Sequence, residues 1–89
     1  MMDLKIKIFG VGSMRDRVMM QSVEMALNEL GVASPIEYIS SLDEFMVQGL
    51  SGIPALKING EIIADGRTPS VSELKKQIRY FLDNEAGAL

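Results

Sequence analysis

The 89-residue chain contains no cysteine, no histidine and no tryptophan. Without cysteine its own residues supply no thiolate, so thiol-disulfide chemistry and cysteine nucleophiles are excluded. The loss of histidine as well removes the usual zinc, copper and haem ligand sets and the commonest general base, so neither a metal nor a cofactor is expected. No apolar run approaches the roughly 18 residues of a membrane span, and residues 1–9 are too short and too charged for a signal peptide. A membrane partner is therefore not expected, and the sequence reads as cytoplasmic. Nine basic residues against twelve acidic give a net charge of −3, with no basic stripe interleaved with aromatics, so nucleic acid is not an expected partner.

What is present suits an ordinary globular domain: 47% hydrophobic residues, 24% charged and only three prolines. No repeat, linker or low-complexity stretch divides the chain. A single domain over residues 1–89 is expected, with a core of residues 4–82 and a flexible tail over 83–89.

Leu4, Ile6 and Ile8 alternate with Lys5, Lys7 and Phe9, the period of two of a strand with one well-buried face. Gly10-Val11-Gly12 breaks that pattern. Ser13 followed by Asp16 is then a capping signature that opens a helix, which Gly31 closes. At about 100° per residue, Met19, Met20, Val23, Ala26, Leu27 and Leu30 share one face of it, while Arg17, Gln21, Glu24 and Asn28 lie opposite. Met14, Val18 and Met25 form a separate apolar line. Two readings of that line are open: packing against the C-terminal helix, or a partner or homodimer face, for which methionine is an adaptable contact residue.

Residues 35–40 read as a second strand, and Ser41 with Glu44 caps a short helix ending at Gly49. The runs 55–58 and 61–64 flank Asn59-Gly60, the strongest short signal for a type I′ hairpin. Ser70 with Glu73 opens a third helix, along which Val71, Leu74, Ile78, Phe81 and Leu82 recur at helical spacing. The order is β-α-β-α-β-β-α. A helical crossover between the first two strands implies a parallel pair and the Asn-Gly turn an antiparallel one, so an α/β fold with a mixed four-stranded sheet flanked by helices is expected.

This order, with Gly10-Val11-Gly12 after the first strand, a helix beginning there and Ile53-Pro54 just before the third strand, resembles the thioredoxin fold. It is most similar to the small, glutaredoxin-like proteins of the redox-active disulfide type. The resemblance spans roughly Lys5 to Leu82. In that family a Gly-x-Gly-Cys-x-x-Cys motif follows strand one and a proline, usually cis, faces it. The matching stretch is Gly10-Val11-Gly12-Ser13-Met14-Arg15-Asp16 and the matching proline is Pro54. Asn59-Gly60-Glu61 and Asp65-Gly66-Arg67 resemble the family's final hairpin and its exit toward the last helix. Both cysteine positions are changed, to Ser13 and Asp16, so the resemblance carries over the scaffold and not the redox chemistry.

Ser13 does not replace the lost thiol. Its hydroxyl ionises far above neutral pH, a helix end worth about 1 kcal/mol cannot make it an alkoxide, and no histidine is available as its base. No catalytic residue is expected. The resemblance instead implies a redox-inactive module that binds a protein or peptide through Ser13, Met14, Arg15, Asp16, Ile53 and Pro54. A cis Pro54 would leave backbone groups beside Ile53 for an extended peptide to pair with; a plain turn proline is the alternative. Because all three helices open on the same serine-acid signature, Ser13 and Asp16 also read as a plain cap. A further alternative places a small anion at the first helix's N-terminus, held by free amides, Ser13 and Arg15, although Asp16 opposes it and Arg15 and Arg17 also suit a solvated surface.

Overall fold

The computed structural model describes residues 4–87. Seven elements follow the expected order: β1 (Ile6–Phe9), α1 (Met14–Leu30), β2 (Ile36–Ile39), α2 (Leu42–Val47), β3 (Ala55–Ile58), β4 (Glu61–Asp65) and α3 (Val71–Gly87). They build one mixed sheet of order β2-β1-β3-β4. The α1 crossover makes β1 and β2 parallel, with Ile8 opposite Tyr38. β3 returns antiparallel to β1, and β4 antiparallel to β3. The hairpin turns on Asn59 and Gly60, both left-handed at φ 51° and 84°, as a type I′ turn requires.

Strand alternation sorts the core into two layers. Leu4, Ile6 and Ile8 face the same side as Leu56 and Ile58, where Met19, Val23 and Leu27 of α1 and Leu74, Ile78 and Phe81 of α3 bury against them. Phe9 points to the other side and meets Phe45 of α2 edge-to-face, with ring centroids 6.2 Å apart. Ala55, Ile39, Leu50 and Ile53 complete this second cluster. The helices α1 and α3 thus cover one face and α2 the other.

Each helix starts where its serine was expected to cap it: Ser13, Ser41 and Ser70 accept the amides of Asp16, Glu44 and Glu73. The last helix departs from expectation. It runs through Asp83 to Gly87, past the point where the flexible tail was placed. No proline or glycine interrupts residues 82–86, and Asn84 donates back to the Tyr80 carbonyl at 2.8 Å. The remainder of the expected tail, residues 88–89, lies outside the described residues.

Candidate functional site

The C-terminal ends of β1 and β2, the start of β3 and the first turn of α1 meet at one end of the sheet. At the centre of this meeting is Asp16, the third residue of α1, which is only 3% exposed. Its Oδ2 accepts from the amides of Val11 at 2.8 Å, Gly12 at 2.7 Å and Ser13 at 3.0 Å, and from the Tyr38 hydroxyl at 2.9 Å. The other oxygen, Oδ1, is buried with no hydrogen-bond partner among the described residues. Burial pushes the Asp16 carboxyl up, but the Ser13 amide, the Tyr38 hydroxyl and the Val11 amide together outweigh it and hold the group below its ordinary range. Tyr38 shifts the other way: burial first, and then its bond to the Asp16 carboxylate, raise the phenol.

The carboxylate also dictates its neighbour. A Cβ on Gly10 would lie 2.3 Å from the Asp16 carboxyl carbon, so the residue leaving β1 has room only for glycine. Gly10 meanwhile donates its amide to Ile39 at 3.1 Å, extending the parallel pairing by one residue.

The second half of the site is tied to the first through Gly66. Arg15 Nη2 donates to the Gly66 carbonyl at 3.0 Å, and the Gly66 amide donates to the Pro54 carbonyl at 2.9 Å. Gly66 also packs on Gly52, where a Cβ would stand 3.0 Å from the Gly66 Cα. Asp65 fixes the approach to Pro54 by accepting the amides of Ser51 and Gly52. The Ile53-Pro54 peptide bond is cis. The main-chain amide and carbonyl of Ile53 form no hydrogen bond among the described residues, although the groups on either side do.

A sequence profile of the thioredoxin domain matches residues 4–79. The chain belongs to the thioredoxin domain family. Two archaeal proteins named thioredoxin are similar to it. The one from Methanothermobacter thermautotrophicus is 33% identical over 73 residues, covering 82% of this chain and 95% of its own length. The one from Methanocaldococcus jannaschii is 26% identical over 80 residues, covering 90% and 92%.

This thioredoxin domain places the six residues singled out in the sequence around one end of the sheet, in two different settings. Met14 is 71% exposed, Arg15 is exposed, and Ser13 and Ile53 are half-buried, so these four reach solvent. Asp16 and Pro54 are buried and hold the surface up from behind. For the anion-site reading, the Val11, Gly12 and Ser13 amides already bind the Asp16 carboxylate, whose negative charge opposes a second anion there, and Arg15 is engaged with the Gly66 carbonyl. The packing reading of Met14, Val18 and Met25 is corrected, since all three remain exposed, while the buried Met19, Val23, Ala26 and Leu27 of α1 share the core with Leu74, Ile78 and Phe81 of α3.

Sequence reasoning missed Tyr38 and Gly10. A tyrosine near the C-terminal end of β2, the end at which α1 begins, was the available signal for Tyr38. It missed as well the exposed Leu42, Met46 and Val47 of α2, whose neighbour Phe45 packs with Ile53. Among the described residues no acidic cluster is arranged to hold a metal ion, and no helix is long and apolar enough to cross a membrane.

Proposed function

We propose that this thioredoxin domain is redox-inactive and binds an extended peptide segment of a partner protein at the surface formed by Ser13, Met14, Arg15 and Ile53, with Asp16 and Pro54 as its support. The observation that carries the reading is the open Ile53 main chain, lying between a Gly52 amide held by Asp65 and a Pro54 carbonyl held by Gly66. An extended segment pairs with such a pair of groups by main-chain hydrogen bonds, and side-chain contacts then select its sequence. Met14 and Val11, both largely exposed at the same end of the sheet, offer those contacts. None of this needs a thiol. The relatives' name, thioredoxin, fits the scaffold, while the absence of cysteine separates this chain from any disulfide exchange of its own.

The test is capture by the immobilised chain from its native cell extract, compared across two surface variants. Met14→Glu should lose the captured protein and Met46→Glu, on α2, should retain it. Equal recovery by wild type and Met14→Glu sinks the site assignment. Amide resonances supply a second readout: bound peptide should shift Ser13, Met14 and Ile53 while leaving the Asn59-Gly60 turn unmoved.

A further inference from the structure

The outward side of α1 carries an apolar stripe that the fold does not use. Its apolar members are Met14, Val18 and Met25; with the polar Gln21, which borders the line between Val18 and Met25, they are spaced four, three and four residues apart, the interval of a coiled-coil seam. At about 100° per residue this stripe points away from the fully buried Met19, Val23 and Ala26. Met14 is 71% exposed, Val18 45% and Met25 53%. Along one flank stand Arg17 and Glu24, both exposed and neither in an ion pair among the described residues.

The stripe is complementary to its own reverse. Inverting α1 about the point between Met19 and Met20 lays position 14 on position 25 and position 18 on position 21, and it brings the Arg17 flank onto the Glu24 flank. In an antiparallel helix pair like flanks face each other, so Arg17 meets an opposite charge. A parallel pair would instead set Arg17 against Ser22 and Glu24 against Glu29, which Lys75 already pairs, so it gains no ion pair. We infer that α1 pairs antiparallel with α1 of a second copy of this chain. Met14 then packs on Met25 of the second copy and Val18 on its Gln21, while Arg17 pairs with Glu24 twice by the two-fold symmetry.

From Met14 to Met25 the stripe is about 16 Å long, too short for one helix face to bury the roughly 800 Å² per partner of a standard interface. The dimer is therefore weak and concentration-dependent, and salt loosens it by screening the flanking charges. Because Met14 also lies on the proposed peptide surface, the dimer closes that surface. The inference does not rest on the peptide-binding reading, since Val18, Met25, Arg17 and Glu24 lie outside the peptide surface.

Sedimentation equilibrium on the full chain, loaded from about 10 µM to about 1 mM to bracket an interface of this size, reads the mass directly. The apparent mass should rise from one chain toward two. Arg17→Glu and Glu24→Arg should each weaken association roughly tenfold or more, because symmetry turns one reversal into two like-charge contacts. The double variant R17E/E24R should restore it, and Met25→Lys should abolish it. Thermal melts of each variant at low concentration establish that the fold is intact. A monomer at every concentration overturns the inference. So does a dimer indifferent to both reversals, or a double variant no better than the singles. Capture of a different protein by the stripe of a monomeric chain overturns it too.

Discussion

Asp16 concentrates in one side chain the difference between this domain and a thiol enzyme on the same scaffold. It neutralises three loop amides and the Tyr38 hydroxyl with a single oxygen, so the end of α1 that would steady a thiolate already holds an internal anion. Asp16→Asn should destabilise the domain by about 1–3 kcal/mol in denaturant melts, because charge-assisted bonds to a buried group are lost. The pH dependence follows from the lowered carboxyl. A group whose pKa is lower folded than unfolded contributes stability above the unfolded value, near 3.9, and loses it as pH falls through the folded one. The wild type should therefore lose stability in acid more steeply than Asp16→Asn. Tyr38 sets the opposite limit, with stability declining as pH rises past about 10, where the unfolded chain ionises first. Gly10→Ala should cost about 1–3 kcal/mol by overpacking the carboxyl. Its cost should shrink in an Asp16→Ser background, and strict additivity in that double-mutant cycle would contradict the contact.

At the scale of the element, the N-terminus of α1 serves as a cap. Ser13 and Asp16 complete a reciprocal capping box, the device that Ser70 and Glu73 repeat at α3, where Arg67 also pairs with Glu73 at 3.1 Å. Ser70→Ala should therefore lower stability by only about 1 kcal/mol, a melting shift of about 4–8 °C for a domain of this size. Restoring thiols tests what the α1 terminus can still do. In Ser13→Cys alone the thiol should titrate no lower than the ordinary value near 8.5, because the Asp16 carboxylate beside the helix end disfavours a second negative charge. In the double variant S13C/D16C under reducing conditions it should fall below that value as the helix end becomes free. Thiolate absorbance against pH measures both. A depressed thiol in the single variant would show that Asp16 does not quench the helix end.

The whole molecule has a radius of gyration of 12.6 Å, close to the roughly 12 Å of a compact chain of this length, so its surfaces belong to one body. Among the described residues, the exposed apolar side chains include the α1 stripe and Leu42, Met46 and Val47 on α2. The proposed peptide surface lies at the end of the sheet from which both helices start. The intact chain should not accelerate disulfide reduction of a model protein by dithiothreitol above the uncatalysed rate, at any concentration, because it has no cysteine to form a mixed disulfide. Measurable catalysis would require chemistry that none of its side chains supplies.

The sequence by itself determined the elements and the missing chemistry. Alternation in β1, three serine caps and the Asn59-Gly60 turn are local signals, set by interactions among residues a few positions apart, and each produced its element. Where such signals are weak the reading was less accurate, as at the end of α3, which no breaker residue marks before Gly87. The site was legible only as a stretch of residues. Whether Asp16 is a cap or something more depended on Tyr38, 22 positions away, brought alongside by the parallel pairing of β1 and β2. Whether Arg15 is free for a ligand depended on Gly66, 51 positions away. Hydrogen-bond donors are allotted by proximity in space. The tertiary structure alone could therefore decide that the loop amides ahead of α1 are already taken by the chain's own carboxylate, and that Met14 and Ile53 reach solvent.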